Sequence, residues 1–178
     1  PGRRRSFFQL VMHILDAHPG LGSGGSEARV MWGIKALRGI GEVYVATGRP
    51  FDLDRLNRHC DTSVRPDDFH PVVAPQWLRR LIGHTDALRG AAFGRYLRRL
   101  SRDADVCISA YNLMDFGKPA IQFVADFSFD DELRREFDPS PPGARSWAHR
   151  PGLLRRVYLG LARLIAGRSG YDGRDDWI

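Results

Sequence analysis

A glycine cluster near the amino terminus constrains the fold of this chain more than any other feature. The cluster runs from His18 to Glu27, as His-Pro-Gly-Leu-Gly-Ser-Gly-Gly-Ser-Glu, between an apolar run at residues 7–15 and a helical pattern at residues 28–37. A strand, a glycine loop and a helix in this order bring backbone N–H groups and a helix N-terminus close to a phosphate or a sugar. Glycine suits such a loop because it lacks a Cβ, which permits close approach and positive φ. We therefore expect an α/β ligand-binding domain.

Further strand and helix patterns alternate along the remainder of the 178 residues. Apolar and β-branched runs predict strands at residues 9–15, 42–47, 69–73, 105–110 and 119–125. Apolar residues at helical spacing predict helices at residues 27–37, 53–59 and 153–166, and two helices separated by glycines within residues 76–101. This alternation predicts a single domain over residues 1–178, with an α/β, Rossmann-like, doubly wound and mainly parallel sheet and helices on both faces. Ligands bind such sheets at the carboxyl ends of the strands, where the loops at residues 16–27, 47–52 and 111–118 should converge.

Basic charge is a second feature with functional meaning. The chain has 27 Lys and Arg residues against 21 Asp and Glu residues, which favours an anionic partner. Arginines crowd residues 76–102 among aromatic and leucine side chains, and two interpretations of that segment stay open: a solvated face, or contact with anionic membrane headgroups. The helix at residues 153–166 is amphipathic, with an apolar face formed by Leu153, Leu154, Val157, Tyr158, Leu161, Leu164 and Ile165. No motif typical of nucleic-acid binding is present.

Cysteine content and hydropathy indicate a cytoplasmic protein. Cys60 and Cys107 lie far apart and neither belongs to a Cys-x-x-Cys pair, which favours a reducing compartment. No apolar run approaches the ~18 residues that a membrane span needs. The expected localisation is the cytoplasm, with peripheral contact at the inner face of the membrane if the basic segment binds lipid.

One interpretation of the glycine cluster is a dinucleotide-binding loop. Gly20, Gly22 and Gly25 satisfy the Gly-x-Gly-x-x-Gly spacing, but residues 16–19 separate them from the predicted first strand. The second predicted strand is followed by Gly48 and Arg49 rather than by the acidic residue that binds a ribose, although an arginine suits a 2′-phosphate. Binding of NAD(P) in an oxidoreductase, or of a sugar or nucleotide without catalysis, therefore stays open. A Walker loop is excluded because no Gly-Lys-Ser/Thr follows the cluster.

The other interpretation comes from a resemblance. Gly24-Gly-Ser-Glu-Ala-Arg-Val30, followed by a helix and by Gly41-Glu-Val-Tyr-Val-Ala-Thr47, resembles the start of the retaining GT-B glycosyltransferases of family four. His18-Pro19 and the segment at residues 109–119, Ser-Ala-Tyr-Asn-Leu-Met-Asp-Phe-Gly-Lys-Pro, are similar to the branch of lipid-linked mannosyltransferases. The resemblance implies the amino-terminal, acceptor-side half of a two-domain enzyme, whose donor domain is absent from this chain.

The resemblance also implies roles for particular residues. Gly24 and Gly25 would approach the diphosphate of a nucleotide-sugar donor, and no metal or other cofactor would be required. The sugar or lipid-linked acceptor would contact Asp16, His18, Ser26, Tyr111 and Asn112. For Asp16 and Asn112 a turn role stays equally open, and Glu27 also suits the first turn of a helix.

The chain departs from the family near the fifth predicted strand. Many relatives place a histidine there against the donor sugar, whereas this chain has Ala125 or Asp126. The resemblance makes Asp126 the candidate catalytic residue, as a hydrogen-bond acceptor for that sugar. We expect residues 1–178 alone to show no transferase activity, because the donor half of the cleft is needed to align the reactants.

Overall fold

The computed structural model describes residues 11–76, 78, 86–124 and 152–167. Its strands are β1 (Met12–His18), β2 (Gly41–Thr47), β3 (His70–Val73), β4 (Val106–Ser109) and β5 (Ile121–Gln122). Its helices are α1 (Gly25–Leu37), α2 (Leu53–Cys60), α3 (Asp86–Leu100) and α4 (Leu153–Ala166), with short 3-10 turns at Pro66–Asp68 and Ser101–Asp103. The strands pair in parallel in the order β3-β2-β1-β4-β5, which confirms the predicted Rossmann-like α/β fold.

Strand β1 continues three residues beyond its predicted end at residue 15. Its register with β2 joins Met12 to Gly41 and continues until His18 lies opposite Thr47. Asp16 and His18 interrupt the apolar pattern, but each side chain is only 2% exposed because α1 covers this face of the strand. The predicted strand end was therefore wrong, and residues 9 and 10 of the predicted strand lie outside the described residues.

Strand β5 is shorter than the predicted strand at residues 119–125. Its ladder with β4 contains two pairs, Ile108 with Ile121 and Ser109 with Gln122. Beyond them, the Phe123 carbonyl accepts from the Asn112 N–H at 3.0 Å, so the chain leaves the ladder to support the loop after β4. Residue 125 lies outside the described residues.

The core has one apolar layer on each face of the sheet. On the first face α1 and α2 pack against β2, with buried side chains that include Val30, Ile34, Val45 and Leu56. On the second face α3 packs against β1 and β4, with buried side chains that include Ala17, Phe93, Leu97 and Cys107. Helix α4 lies outside α3, where its buried residues form a cluster with Ala91. Helices therefore lie on both faces, as predicted, and none of those described is long and apolar enough to cross a membrane.

The strand order fixes where a ligand site belongs. From β1 the chain proceeds to β2 and β3 on one side, and then returns to β4 and β5 on the other. The order thus reverses between β1 and β4, and open α/β sheets bind ligands at such a switch point, outside the carboxyl ends of the strands. Here those ends are His18 of β1 and Ser109 of β4.

Candidate functional site

A buried glutamate holds the glycine loop between β1 and α1 in shape. Glu27 is 7% exposed, and its carboxylate accepts from the Gly22 N–H and from the Ser26 hydroxyl, each at 2.9 Å. Burial opposes ionisation of Glu27, but the hydrogen bonds to its carboxylate outweigh burial and lower its pKa below the ordinary 4.5. Negative charge in the first turn also suits the positive end of the helix dipole. Glu27 is therefore an ionised clamp on the loop.

The ring of His18, at the end of β1, is fixed by two hydrogen bonds. The Gly20 N–H donates to Nδ1 at 3.2 Å, and Nε2 lies 3.0 Å from Ser26 Oγ. An N–H can donate only to an unprotonated ring nitrogen, so we assign the ring hydrogen to Nε2, which donates to Ser26. Ser26 in turn donates to Glu27. The hydrogen bonds therefore run in one direction, from His18 through Ser26 to Glu27.

This direction decides what His18 and Ser26 can do. A serine nucleophile needs a histidine nitrogen that accepts its proton, whereas here the histidine donates to the serine. Burial lowers the pKa of His18 from 6.5 to about 4, and the negative charge of Glu27 opposes that shift only in part. His18 is thus neutral near neutral pH, and the pair positions the loop rather than forming a Ser–His nucleophile.

Gly24 and Gly25 form the start of α1. Gly24 is the N-cap, and no side chain caps the helix there. A Cβ on Gly24 would lie 2.8 Å from Glu27 Oε2, whereas a Cβ on Gly25 would meet nothing within 4 Å. The first turn of α1 therefore borders open space at Gly25, and the Glu27 carboxylate already accepts from its own N–H within this turn.

The loop does not use the positive φ that its glycines permit. In the described part of the chain, glycines with positive φ are Gly39, Gly117, Gly152 and Gly167. Within the cluster, Gly24 leaves the room that a Cβ would take from Glu27 Oε2, whereas a Cβ added at Gly20 or Gly25 would meet nothing within 4 Å.

The loop after β4 brings Tyr111 beside His18, with ring centroids 5.3 Å apart. The Ser109 hydroxyl donates to the Asn112 carbonyl at 2.7 Å and so holds this loop against the end of β4. Asn112 is 3% exposed and has a φ of 50°, which is typical of an asparagine in a turn. Tyr111 thus lies in the site, while Asn112 shapes the loop that carries it.

The side chain of Asp16 is buried under α1 and does not reach the protein surface at the carboxyl edge of the sheet. Its side chain is 2% exposed, and Oδ2 lies 3.7 Å from where a Cβ on Gly33 of α1 would be. Among the described residues Oδ1 has no hydrogen-bond partner. Burial raises the pKa of Asp16 from 3.8 to about 7, and an interaction with the Ala17 backbone lowers it only in part. Asp16 is therefore an interior carboxyl group under α1.

An open cavity of about 320 Å³ lies on the β2 side of the glycine loop. Its lining residues are Leu21, Gly22, Pro50, Phe51, Asp52, Arg55 and Leu56. Arg55 ties α2 to the loop by donating to the Ser23 hydroxyl at 2.9 Å. The exposed lining of the cavity is somewhat more polar than apolar, with Asp52 and Arg55 beside Leu21 and Phe51. His18 and Tyr111 do not line it.

The structure brings together five of the predicted site residues at one edge: His18, Gly24, Gly25, Ser26 and Tyr111. Asp126 lies outside the described residues, so its catalytic role stays a prediction. The clamp by Glu27 was missed, since the sequence places Glu27 in a first helical turn but does not reveal that its carboxylate turns back to Gly22. Within the described ranges no three metal-ligating side chains converge.

Comparison with known proteins gave no match: no family model, no curated protein and no solved structure matches the chain. What can be stated of this chain therefore comes from its own fold and the position of its glycine loop. The chain has a Rossmann-like α/β fold with a glycine loop at the switch point of its parallel sheet.

Replacing Glu27 with alanine is expected to lower the free energy of unfolding by about 2 kcal/mol, because a charged acceptor is removed from two donors. Urea denaturation measures this loss, and hydrogen exchange at the Gly22 amide should become faster. Glu42→Ala is the matched control, since its side chain is 44% exposed and its removal should cost less than about 1 kcal/mol. Equal losses in the two variants would contradict a clamp.

Proposed function

We propose that this chain is the acceptor-side half of a retaining GT-B glycosyltransferase, which transfers a sugar from a nucleotide-sugar donor to a glycan or lipid-linked acceptor. One observation carries the proposal: the glycine loop, His18 and Tyr111 meet at the switch point between β1 and β4. This is where a parallel α/β sheet binds its ligand. The resemblance of the same residues to family four supplies the class of reaction.

The two sides of this edge suit the two parts of a transfer reaction. Tyr111 is half-buried against the buried ring of His18 and offers an aromatic surface, which suits the apolar face of an acceptor sugar. The uncapped start of α1 at Gly25 suits the diphosphate of the donor, held in place by the second domain.

In the proposed transfer reaction, negative charge develops next to the backbone N–H groups at the start of α1. The bond between the sugar and the diphosphate breaks, negative charge develops on the departing diphosphate, and the acceptor oxygen bonds to the sugar while its proton passes to an oxygen of that diphosphate. Backbone N–H groups that are already oriented stabilise such charge without reorganising. In this proposal Gly25 acts by letting the diphosphate come close to those N–H groups.

A dinucleotide-binding function is the second candidate, and one observation favours it. Because β1 ends at His18 and not at residue 15, the first glycine of the Gly20, Gly22, Gly25 pattern follows the strand after a single residue. However, the Gly22 N–H already donates to the Glu27 carboxylate, so this N–H at the centre of the loop is not free for the pyrophosphate of a dinucleotide. The sugar transferase is therefore the better-supported function.

Titration of the 178-residue chain, followed by amide NMR, separates these functions. We expect an alkyl mannoside to shift the amides of residues 20–27 and 111, while NADP and GDP-mannose leave them unchanged. Tyr111→Ala should abolish the effect, and Trp32→Ala, which removes an exposed aromatic residue from α1, should not. Saturable NADP binding at the loop without a response to the mannoside would overturn the proposal in favour of an oxidoreductase.

A further inference from the structure

Helix α4 exposes a row of large apolar side chains. Their exposed fractions are Leu153 74%, Leu154 71%, Val157 54%, Leu161 49% and Leu164 75%. Positions 153, 157, 161 and 164 recur at helical spacing, and position 154 lies beside 157 and 161, so the five form one continuous strip. We call this strip the α4 stripe.

The α4 stripe is distinct from the face with which α4 packs. The packed face contains Tyr158, Ala162 and Ala166, which are buried in a cluster with Ala91 of α3. The sequence pattern placed Tyr158 on the same face as the leucines, whereas the structure divides the apolar surface between two adjacent sides of the helix. The described chain covers one side and leaves the leucines exposed.

The charged residues within α4 itself have one sign. The helix from Leu153 to Ala166 contains arginines and no acidic residue, and Arg156 and Arg163 are exposed. Arg95 of α3 donates to the Ile165 carbonyl at 3.3 Å, which places another guanidinium group at the carboxyl end of α4. A strip of leucines beside arginines of the same helix is complementary to a lipid surface, which is apolar inside and negatively charged at its boundary.

We propose that the α4 stripe docks on the surface of an anionic lipid bilayer. The helix lies in the plane of the interface, where the leucines enter the boundary of the acyl chains and the arginines reach the phosphates. A second copy of the chain fits less well, because an isologous contact of α4 with itself would set Arg156 and Arg163 against like charges. The proposal does not depend on the sugar chemistry proposed above.

This assignment differs from the lipid contact that the sequence indicated at residues 76–102. In α3, which forms most of the described part of that segment, Phe93 and Leu97 are buried in the core. Arg98 forms an ion pair with Asp115 at 3.5 Å. The apolar component that membrane binding needs is therefore offered by α4.

Sedimentation of the 178-residue chain with lipid vesicles tests the proposal. We expect binding to vesicles of phosphatidylcholine and phosphatidylglycerol in equal parts, weaker binding at high salt, and little binding to phosphatidylcholine alone. Leu161→Gln with Leu164→Gln should reduce partition about a hundredfold, because two leucines leave the apolar phase. Arg156→Gln with Arg163→Gln should reduce it about twentyfold. Circular dichroism verifies that each variant is folded.

Matched controls come from other surfaces of the chain. Val11→Gln with Ile40→Gln removes apolar side chains that are 48% and 59% exposed near the amino ends of β1 and β2, and partition should stay unchanged. Arg58→Gln with Arg102→Gln removes exposed arginines elsewhere and should have far less effect than the α4 pair. The proposal is overturned if the folded chain does not bind anionic vesicles, or if the controls weaken binding equally. A concentration-dependent dimer that the leucine substitutions dissolve, without vesicle binding, would assign the stripe to a second copy instead.

Discussion

Replacing Asp16 with asparagine is expected to stabilise the domain by about 2 kcal/mol near pH 8 and to leave its stability almost unchanged near pH 5. In the native chain, burial raises the pKa of Asp16 from 3.8 to about 7. The separation of roughly three units corresponds to about 4 kcal/mol, which is the cost of ionising this carboxyl group in the interior. Asparagine carries no charge, but its amide also needs partners, so we expect it to recover about half of that energy.

The pH dependence has a definite sign. Because the folded-state pKa of Asp16 lies above its unfolded value, the stability linked to it is complete below about pH 3.8 and is lost as the pH rises through 7. His18 has the opposite linkage, since its pKa falls from 6.5 to about 4 on folding, and its stability is lost as the pH falls through that window. Between about pH 4 and 6.5, Asp16 makes the free energy of unfolding fall with rising pH, and His18 makes it rise. In Asp16→Asn only the contribution of His18 remains, so the free energy of unfolding should rise with pH in this range.

Urea denaturation at several pH values measures both effects. Asp103→Asn, which alters an exposed carboxylate in a 3-10 turn, is the matched control and should leave the pH profile as it is in the native chain. If Asp16→Asn destabilised the domain near pH 8 as much as near pH 5, Asp16 would not be the buried ionisable group that the structure indicates.

Under the proposed function, replacing Gly25 with valine is expected to reduce turnover by the protein from the complete coding sequence about a hundredfold or more. Loss of a donor that stabilises developing charge has an effect of about this size. A Cβ added at Gly25 would meet nothing within 4 Å in this domain, so the fold should tolerate the valine while its branched side chain fills the space next to α1. Steady-state kinetics with a water-soluble acceptor, together with circular dichroism, measures the two outcomes separately.

Gly160→Val is the matched control for this substitution. Gly160 is also a helical glycine whose added Cβ would meet nothing within 4 Å, but it lies on α4 away from the glycine loop. Its replacement should have no more than a small effect on turnover. Near-normal turnover in a folded Gly25→Val protein would contradict a role of the loop in binding the diphosphate and would leave it only a structural role.

The architecture could be predicted from the sequence because the strand and helix patterns alternate without ambiguity. The end of β1 could not, since Asp16 and His18 are polar and their burial depends on α1, which covers them only after the tertiary fold has formed. The local sequence pattern indicates only the average environment of a strand. It does not reveal that the carboxyl group of Asp16 is buried next to Gly33, because aspartate is usually exposed.

The candidate site shows the same division. The sequence placed the glycine cluster at the carboxyl ends of the strands, where the structure has it, because the order of strand, loop and helix determines that position. The pairing of His18 with Tyr111 joins segments that are far apart in the sequence, and it depends on β4 lying beside β1. The α4 stripe was visible as apolar periodicity, but only packing against α3 divided it into a covered and an exposed side.

Release of nucleoside diphosphate from a panel of UDP-, GDP- and ADP-sugars tests the central claim most directly. The assay uses the protein translated from the complete coding sequence, with and without a sugar acceptor such as an alkyl mannoside. We expect release from at least one donor, stimulated by the acceptor and lost when translation stops at Ile178. Absence of release from every donor, together with nicotinamide-dependent turnover by the same protein, would contradict assignment of this fold to a sugar transferase.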